Sequence, residues 1–486
     1  MKTKSVKFNF IMNFILTISQ FLFPLITFPY VSRVLGPSGN GSIAFATSVV
    51  TYFTMFSMLG VPTYGIRACA KVRDNKEELS KVVQELLVIN LIMMLICYII
   101  FGMALLTVDR FQEDKVLLII SSAAIFLNVI GVSWLYSALE QYAYITTMSL
   151  VFKVISVVLM FALVRSEKDY IIYGTISVIA SGGSFLANFI RMRKFVSMKP
   201  VGQYDFKRHM KPICIFFAMS IATTIYTNLD TVMLGFMQTN TDVGFYNAAV
   251  KIKGILVSLV TSLGTVLLPR LSFYIENGFE KEFRRMIAKA LNFVLLISFP
   301  LTIYFIFYAK ESILLLSGSA YLGAVIPMCV ITPTIVFIGI TNVLGIQVLV
   351  PIGKEKQVLF SVVIGALVDL ILNVIFIPEY AATGAALGTL VAEIAVLIVQ
   401  IICLRGFLVE IKNEIQWKKE IISLFIATIG VMFFKTYVEI QSDFVALVIS
   451  AILYFSIYGG LLLLLKDSFI LEIVIPVYER IRKQRN

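Results

Sequence analysis

Apolar runs of 18 to 30 residues alternate with short polar breaks along the whole chain. An α-helix needs about 20 apolar residues to cross the hydrocarbon core of a bilayer. The runs fall at 8–32, 41–66, 82–106, 115–138, 141–164, 170–190, 212–237, 244–270, 288–308, 321–350, 357–377, 382–404, 420–437 and 443–465, fourteen in all. This pattern predicts an all-α polytopic membrane protein. The first run is too long for the core of a cleaved leader and no A-x-A site follows it, so it reads as an uncleaved first span. Span 141–164 is interrupted by Lys153, and span 321–350 is over-long and holds Pro327 and Pro333. Pro24 and Pro29 predict a bend in span 1, Pro62 one in span 2 and Pro300 one in span 9.

The polar breaks set an orientation. With the N-terminus inside, 31 of the 41 Lys and Arg residues fall on the cytoplasmic side and 7 on the outer side. That is the bias the positive-inside rule describes, and an odd number of spans would scramble it. Both termini are therefore expected in the cytoplasm. The outer breaks are as short as 36–41 and 237–242, leaving no outer domain to bind or cut anything. The charged and apolar residues of 466–486 alternate as in an interfacial helix on anionic lipid.

Composition narrows the chemistry. Of the residues, 59% are hydrophobic and only 14% charged, against about 25% charged in soluble domains. A single histidine, His209, leaves no basis for His-based metal cages or a Ser/His/Asp hydrolase. Cys69, Cys97, Cys214, Cys329 and Cys403 are scattered, with no C-x-x-C pair, and read as buried thiols. The net charge of +12 belongs to cytoplasmic loops rather than to nucleic-acid binding, since no basic-aromatic surface stretch accompanies it.

The longest break, 191–211, is basic and splits the first twelve spans into six and six. Span 1 ends in Val34-Leu35-Gly36 and span 2 opens at Gly41; span 7 ends in Met233-Leu234-Gly235 and span 8 opens at Gly244. A parallel repeat of six spans follows from this pairing. It predicts two pseudo-symmetric six-helix lobes, 1–195 and 212–405, joined by a linker at 196–211, with two peripheral helices and the tail in 406–486. Repeats of this kind flank a substrate site near mid-bilayer.

The informative residues are charges inside spans: Lys153, Asp230, Lys251, Lys253, Asp369 and Glu393. Each would cost about 2.5–3.5 kcal/mol at the bilayer centre, so most must face water or one another. Lys251 and Lys253 stand about 200° apart on a helix, so at most one serves a cavity. Lys153, together with Arg33 at the outer end of span 1, makes the first half cationic and suited to phosphate. The acids lie in the second half. Asp369 and Asn373 are one helical turn apart and share a face. With Asp230 of span 7 and Thr389 of span 12 they form an all-oxygen set for a hard cation. A proton carrier, or hydrogen bonding that ties helices together, would use the same residues.

Three stretches resemble the polysaccharide repeat-unit flippases, the Wzx class of the MOP exporter superfamily. They are Pro29 to Gly41; Asn228 to Gly235 followed by Val243 to Ile252; and Asn373 through Ile377-Pro-Glu-Tyr-Ala-Ala-Thr-Gly-Ala-Ala386 to Glu393. The likeness covers nearly the whole chain and its number of spans. It implies a non-enzymatic carrier of undecaprenyl-pyrophosphate-linked oligosaccharide, working by alternating access from inner to outer leaflet of a bacterial cytoplasmic membrane. Arg33, Lys153 and Lys251 are then the substrate-binding candidates. A related lipid II flippase is similar in holding sodium between spans 7, 11 and 12. By position this implies a Na⁺ site at Asp230, Asp369, Asn373 and Thr389, with a carbonyl from Ala385; Glu393 could serve either role. One departure is visible, for here the acid precedes the amide on span 11. No cofactor beyond Na⁺ or H⁺ is implied. The expected partners are the lipid-linked glycan, membrane lipids and a polysaccharide polymerase complex around a monomeric carrier.

Two other readings carry different requirements. A drug or small-cation exporter would want an acidic, aromatic first-half pocket, against which Lys153 stands. A membrane polysaccharide polymerase would need a large outer loop or a soluble acid/base cluster. Neither is present in the sequence.

Overall fold

The computed structural model describes residues 6–467 and 469–471. Among these the chain is helical, without a strand. Most of the tail helix expected over 466–486 lies outside the described residues. The helices are α1 (Val6–Met58), α2 (Val61–Lys71), α3 (Lys76–Thr107), α4 (Asp109–Glu113), α5 (Lys115–Gly131), α6 (Ser133–Ala138), α7 (Tyr142–Leu163), α8 (Tyr170–Met192) and α9 (Lys207–Met237). The second half holds α10 (Asn240–Glu276), α11 (Glu280–Phe307), α12 (Ala309–Ser317), α13 (Val325–Ile331), α14 (Thr334–Asn342), α15 (Glu355–Cys403), α16 (Arg405–Ile411), α17 (Lys418–Tyr437) and α18 (Asp443–Leu464).

Among the described residues eleven helices are long and apolar enough to cross a membrane, or twelve with a broken span over 319–349. Two of them are too long for one crossing. At 1.5 Å per residue the 53 residues of α1 would reach about 80 Å, against about 30 Å of hydrocarbon. Its break is at Gly36, with φ 64° and ψ 180°, a conformation that glycine adopts without a Cβ clash. Pro37 follows at the first position of the next helix, where its missing N–H costs nothing. The 49-residue α15 breaks at Ala381, with φ 46° and ψ −124°, just after Pro378. Its second arm folds back so closely that a Cβ on Gly384 would overlap the Phe376 carbonyl. With both long helices crossing twice, the structure is consistent with fourteen spans.

The proline expectations met mixed outcomes. Pro24 and Pro29 leave α1 helical on both sides, and Pro300 sits inside an unbroken α11. Pro62 stands at the start of α2, where the chain does break, after Gly60 in a left-handed conformation. The over-long span 321–350 is bent by 46° between 319–331 and 334–349, and its last turn, Val343–Leu349, is π-helical. Lys153 does not interrupt α7.

The chain divides into two compact units, 1–244 and 245–486. The division falls after α9, so the helix that the repeat assigns to the lobe 212–405 is packed within residues 1–244. Glycines explain the attachment. A Cβ on Gly235 would run into the Phe45 ring, one on Gly41 into the Asn240 carbonyl, and one on Gly244 into the Pro37 carbonyl. The two matching glycine motifs of the sequence are thus a mutual close approach of backbones. Gly41→Ala is expected to force these segments apart and lower the thermal midpoint of the detergent-solubilised protein, by the about 1–3 kcal/mol typical of overpacking. An unchanged midpoint would show that the approach is slack.

In the second unit α17 and α18 are stitched to α11 by aromatic side chains. Tyr304, Tyr308, Tyr454 and Tyr458 form one buried cluster with Leu424, Val431 and Leu462. Tyr304 OH donates to the Leu447 carbonyl at 2.6 Å. Each unit also has open apolar positions: Ile99 and Leu106 of α3 in the first and Phe425 of α17 in the second are more than 60% exposed. A surface so apolar matches lipid rather than water.

Candidate functional site

In the first unit, α1 and α7 bring a lysine to membrane depth. Lys153 Nζ donates to Ser19 Oγ at 2.7 Å and lies 5.6 Å from the centre of the Phe23 ring. Ser19 is buried, and its own hydroxyl donates to the Leu16 carbonyl at 2.6 Å. The ammonium is half-buried, and among the described residues its hydrogen bond is to a neutral hydroxyl. Arg33 is exposed near the end of the first arm of α1, one guanidinium nitrogen donating to the Pro29 carbonyl at 2.8 Å. Asp230 is buried on α9.

A second charged group in this unit was missed by the sequence reading. Glu85, inside span 3, is fully buried. Its Oε2 accepts from Arg208 Nε and Nη2 at 3.1 and 2.5 Å and lies 2.7 Å from His209 Nε2. Its Oε1 accepts from the Asp205 N–H at 2.6 Å. Tyr64 OH lies 2.7 Å from His209 Nδ1, and Arg208 Nη1 reaches Glu78 at 2.8 Å. The network fastens the start of α9 to α2 and α3. The other end of α9 is held by Arg110, whose Nε donates to the Gly235 carbonyl at 2.6 Å while its second arm reaches Asn240. Glu85 was legible as a charge in an apolar run one heptad after Glu78.

In the second unit, Lys251 is exposed on α10 and Lys253 half-buried, with buried Ile252 between them. The acidic residues gather on the hairpin of α15. Asp369, Asn373, Ala385, Thr389 and Glu393 are all buried there. Gly388 has no side chain because Asp369 and Asn373 fill the space: a Cβ would stand 3.1 Å from Asp369 Oδ1 and overlap Asn373 Oδ1. The two side-chain oxygens therefore converge on the opposite arm beside Thr389. Thr389 Oγ1 donates to the Ala385 carbonyl at 3.0 Å and lies 3.0 Å from Tyr246 OH. Tyr246, which the sequence reading passed over, ties α10 to this point.

Of the predicted ion-site residues, the structure brings together Asp369, Asn373, Thr389 and Ala385, with Glu393 one turn further along. Asp230 belongs to the other unit. Among the described residues no three His, Cys, Asp or Glu side chains form a metal-holding set. What α15 offers is one or two carboxylates among neutral oxygens. That donor set fits a hard monovalent cation or a proton and does not fit a transition metal.

Long apolar helices carrying buried charged and polar groups define a polytopic membrane protein, and the relatives it resembles are transporters rather than enzymes. The chain belongs to the polysaccharide biosynthesis protein family, which its residues 6–274 match. It is 25% identical over 380 residues to an Escherichia coli K12 protein described as "Putative O-antigen transporter", covering 77% of this chain and 91% of that one. A Shigella dysenteriae protein of the same description is 24% identical, over 81% of this chain and 98% of its own. Among solved structures, the lipid II flippase MurJ in an inward closed conformation superposes with a TM-score of 0.74 at 17% identity, over 95% of this chain and 99% of that one. An inward-facing multidrug resistance MATE transporter of the MOP superfamily gives 0.63 at 15% identity, over 81% and 96%. The architecture is thus shared with that superfamily.

Proposed function

We propose that this protein moves an undecaprenyl-pyrophosphate-linked oligosaccharide repeat unit from the cytoplasmic to the outer leaflet of the bacterial cytoplasmic membrane, by alternating access and coupled to a cation. The observation that carries the reading is polar chemistry held inside apolar helices: a half-buried Lys153 ammonium on α7 of the first unit and a buried carboxylate–amide–hydroxyl cluster on α15 of the second. Family membership and the O-antigen description of the relatives support it.

The physics suits the task. A glycan and a pyrophosphate cannot cross about 30 Å of hydrocarbon unaided, whereas a polyprenyl tail need never leave it. Lys153, Arg33 and Lys251 neutralise the pyrophosphate or acidic sugars while the head crosses. Asp230, Asp369, Asn373 and Thr389 take up the cation. Glu393 lies one helical turn beyond Thr389, close enough to modulate its affinity. One elementary charge moving inward at 100 mV supplies about 2.3 kcal/mol, enough to bias the cycle. Both termini face the cytoplasm, on the charge bias of the loops.

Lys153→Ala and Asp230→Asn are each expected to stop surface polysaccharide assembly while the protein still inserts at normal levels. Surface polymer is read by gel after extraction, and insertion by immunoblot of membranes. Normal polymer in both variants would remove the assigned sites. Composition of the lipid-linked glycan that co-purifies with the protein identifies the cargo, and a co-purified small cationic compound in its place would favour a drug exporter.

A further inference from the structure

The start of α17 and the end of α18 carry buried acids that the transport reading does not use. Glu420 stands in the first turn of α17, and Ser423 lies one turn further along the same face; they are 2% and 0% exposed. Asp467, which follows α18, is 0% exposed. The chain reaches it through Lys466, whose φ of 50° lies in the left-handed region. Three contacts bring these residues together. Lys419 Nζ donates to the Lys466 carbonyl at 2.9 Å. The Asp467 N–H donates at 2.9 Å to the carbonyl of Leu462, whose side chain packs with Leu424 of α17 in the buried tyrosine cluster. The charge of Asp467 bears directly on Glu420, and both carboxylates bear on the Tyr458 phenol.

Asp467 Oδ1 accepts from the N–H groups of Phe469 and Ile470 at 3.0 and 3.1 Å. Its other oxygen, Oδ2, has no hydrogen-bond partner among the described residues, and neither has Glu420 Oε1, Glu420 Oε2 or Ser423 Oγ. The first-turn N–H groups of α17 would suit a carboxylate, yet Glu420 accepts from none of them. The neighbouring ammoniums are engaged elsewhere, Lys419 on the Lys466 carbonyl and Lys418 over the Trp417 ring. Two buried acids without a counter-charge are costly, so a positive group belongs with them. A proton joins carboxyl oxygens only about 2.5–2.7 Å apart. Ser423, which has a proton to donate, bonds to neither carboxylate, so the set does not close to hydrogen-bond distance. Oxygens each about 2.3–2.6 Å from one metal ion can stand up to about 5 Å from one another.

We propose that Glu420 Oε1 and Oε2, Asp467 Oδ2 and Ser423 Oγ bind a hard divalent cation of the magnesium or calcium type, which pins the segment after α18 to the start of α17. An all-oxygen set with two carboxylates matches such an ion and does not match a soft metal. A monovalent ion would leave one of the two buried charges uncompensated. No third acidic ligand joins the set among the described residues, so the affinity is modest. The site belongs to α17 and α18, and it stands whether or not the cluster on α15 couples transport to a cation.

The test uses the full-length protein, stripped of metal with a chelator and held in detergent near neutral pH. Its thermal midpoint is titrated with Mg²⁺ or Ca²⁺ against Na⁺ at matched ionic strength, and Mn²⁺ serves as a spectroscopic probe of stoichiometry. The expected result is a saturable rise in midpoint, with one Mn²⁺ bound per chain. Glu420→Gln and Asp467→Asn should each weaken binding about tenfold or more, the size of one lost bond to a charged group, and Ser423→Ala by less. Asp369→Asn should bind as the unmodified protein does. No saturable effect of a divalent ion on the unmodified protein overturns the site, whatever the variants do. Undiminished binding in both Glu420→Gln and Asp467→Asn overturns it too. Loss of binding in Asp369→Asn overturns it by placing the ion on α15. A midpoint raised by acid rather than by metal, and no longer raised in Glu420→Gln, overturns it in favour of a proton held by the pair.

Discussion

Asp369→Asn should reach the membrane at the level of the unmodified protein and lose gradient-driven transport altogether. The substitution keeps the shape that Gly388 accommodates and removes only the charge. Asp369 is 2% exposed, and burying an ionised carboxylate at membrane depth is costly, so its amide should fold at least as well. On the proposed function, what disappears is the coupling. A cation that no longer binds contributes nothing of the roughly 2.3 kcal/mol available per charge at 100 mV, a bias of about fifty-fold between leaflets. The measurement is the outer-to-inner leaflet ratio of a fluorescent lipid-linked glycan in proteoliposomes, with and without an imposed Na⁺ gradient and potential. If the ratio still responds to the gradient in this variant, Asp369 is a helix-bonding group and nothing more.

Glu85→Ala should be the most destabilising of the single changes considered. The carboxylate is fully buried and holds Arg208 and His209 through Oε2 and the Asp205 N–H through Oε1. Removing it strands a guanidinium, an imidazole and a backbone donor at the foot of α9. Breaking a buried pair from one side costs about 3–5 kcal/mol. The lower end applies here, because the Arg208 side chain is 33% exposed and keeps Glu78 as a second partner. The expected readout is a large fall in thermal midpoint and in the yield of monodisperse protein in detergent. Glu85→Gln, which still accepts a hydrogen bond, should fall between the two. A normal midpoint for Glu85→Ala would mean that α9 is held by its other end, at Arg110, Gly235 and Gly41.

Much of the candidate site was legible because charge is costly in hydrocarbon. Lys153, Asp230, Lys251, Asp369 and Glu393 stand out in any apolar run, and the turn that stacks Asp369 on Asn373 follows from 3.6 residues per turn. Glu85 escaped notice because it lies three residues inside its span, where it reads as the edge of a polar loop. Tyr246 escaped because an uncharged polar residue is tolerated in a membrane helix and carries no comparable penalty on its own. Its meaning comes from Thr389, which faces it.

By itself the sequence determined the class of molecule: all-helical, membrane-spanning, and carrying a few ionisable groups inside its apolar runs. Those properties depend on runs of adjacent residues and on the bilayer as solvent, so they survive without coordinates. The tertiary structure alone decided that α9 is packed with residues 1–244, that the two glycine motifs are a single close approach, and that Asp369 and Asn373 point at Gly388 and Thr389 across a reversed hairpin. Each of these is a contact between residues remote in the chain, set by which helix faces which and in what register, and periodicity along one helix does not specify its neighbour.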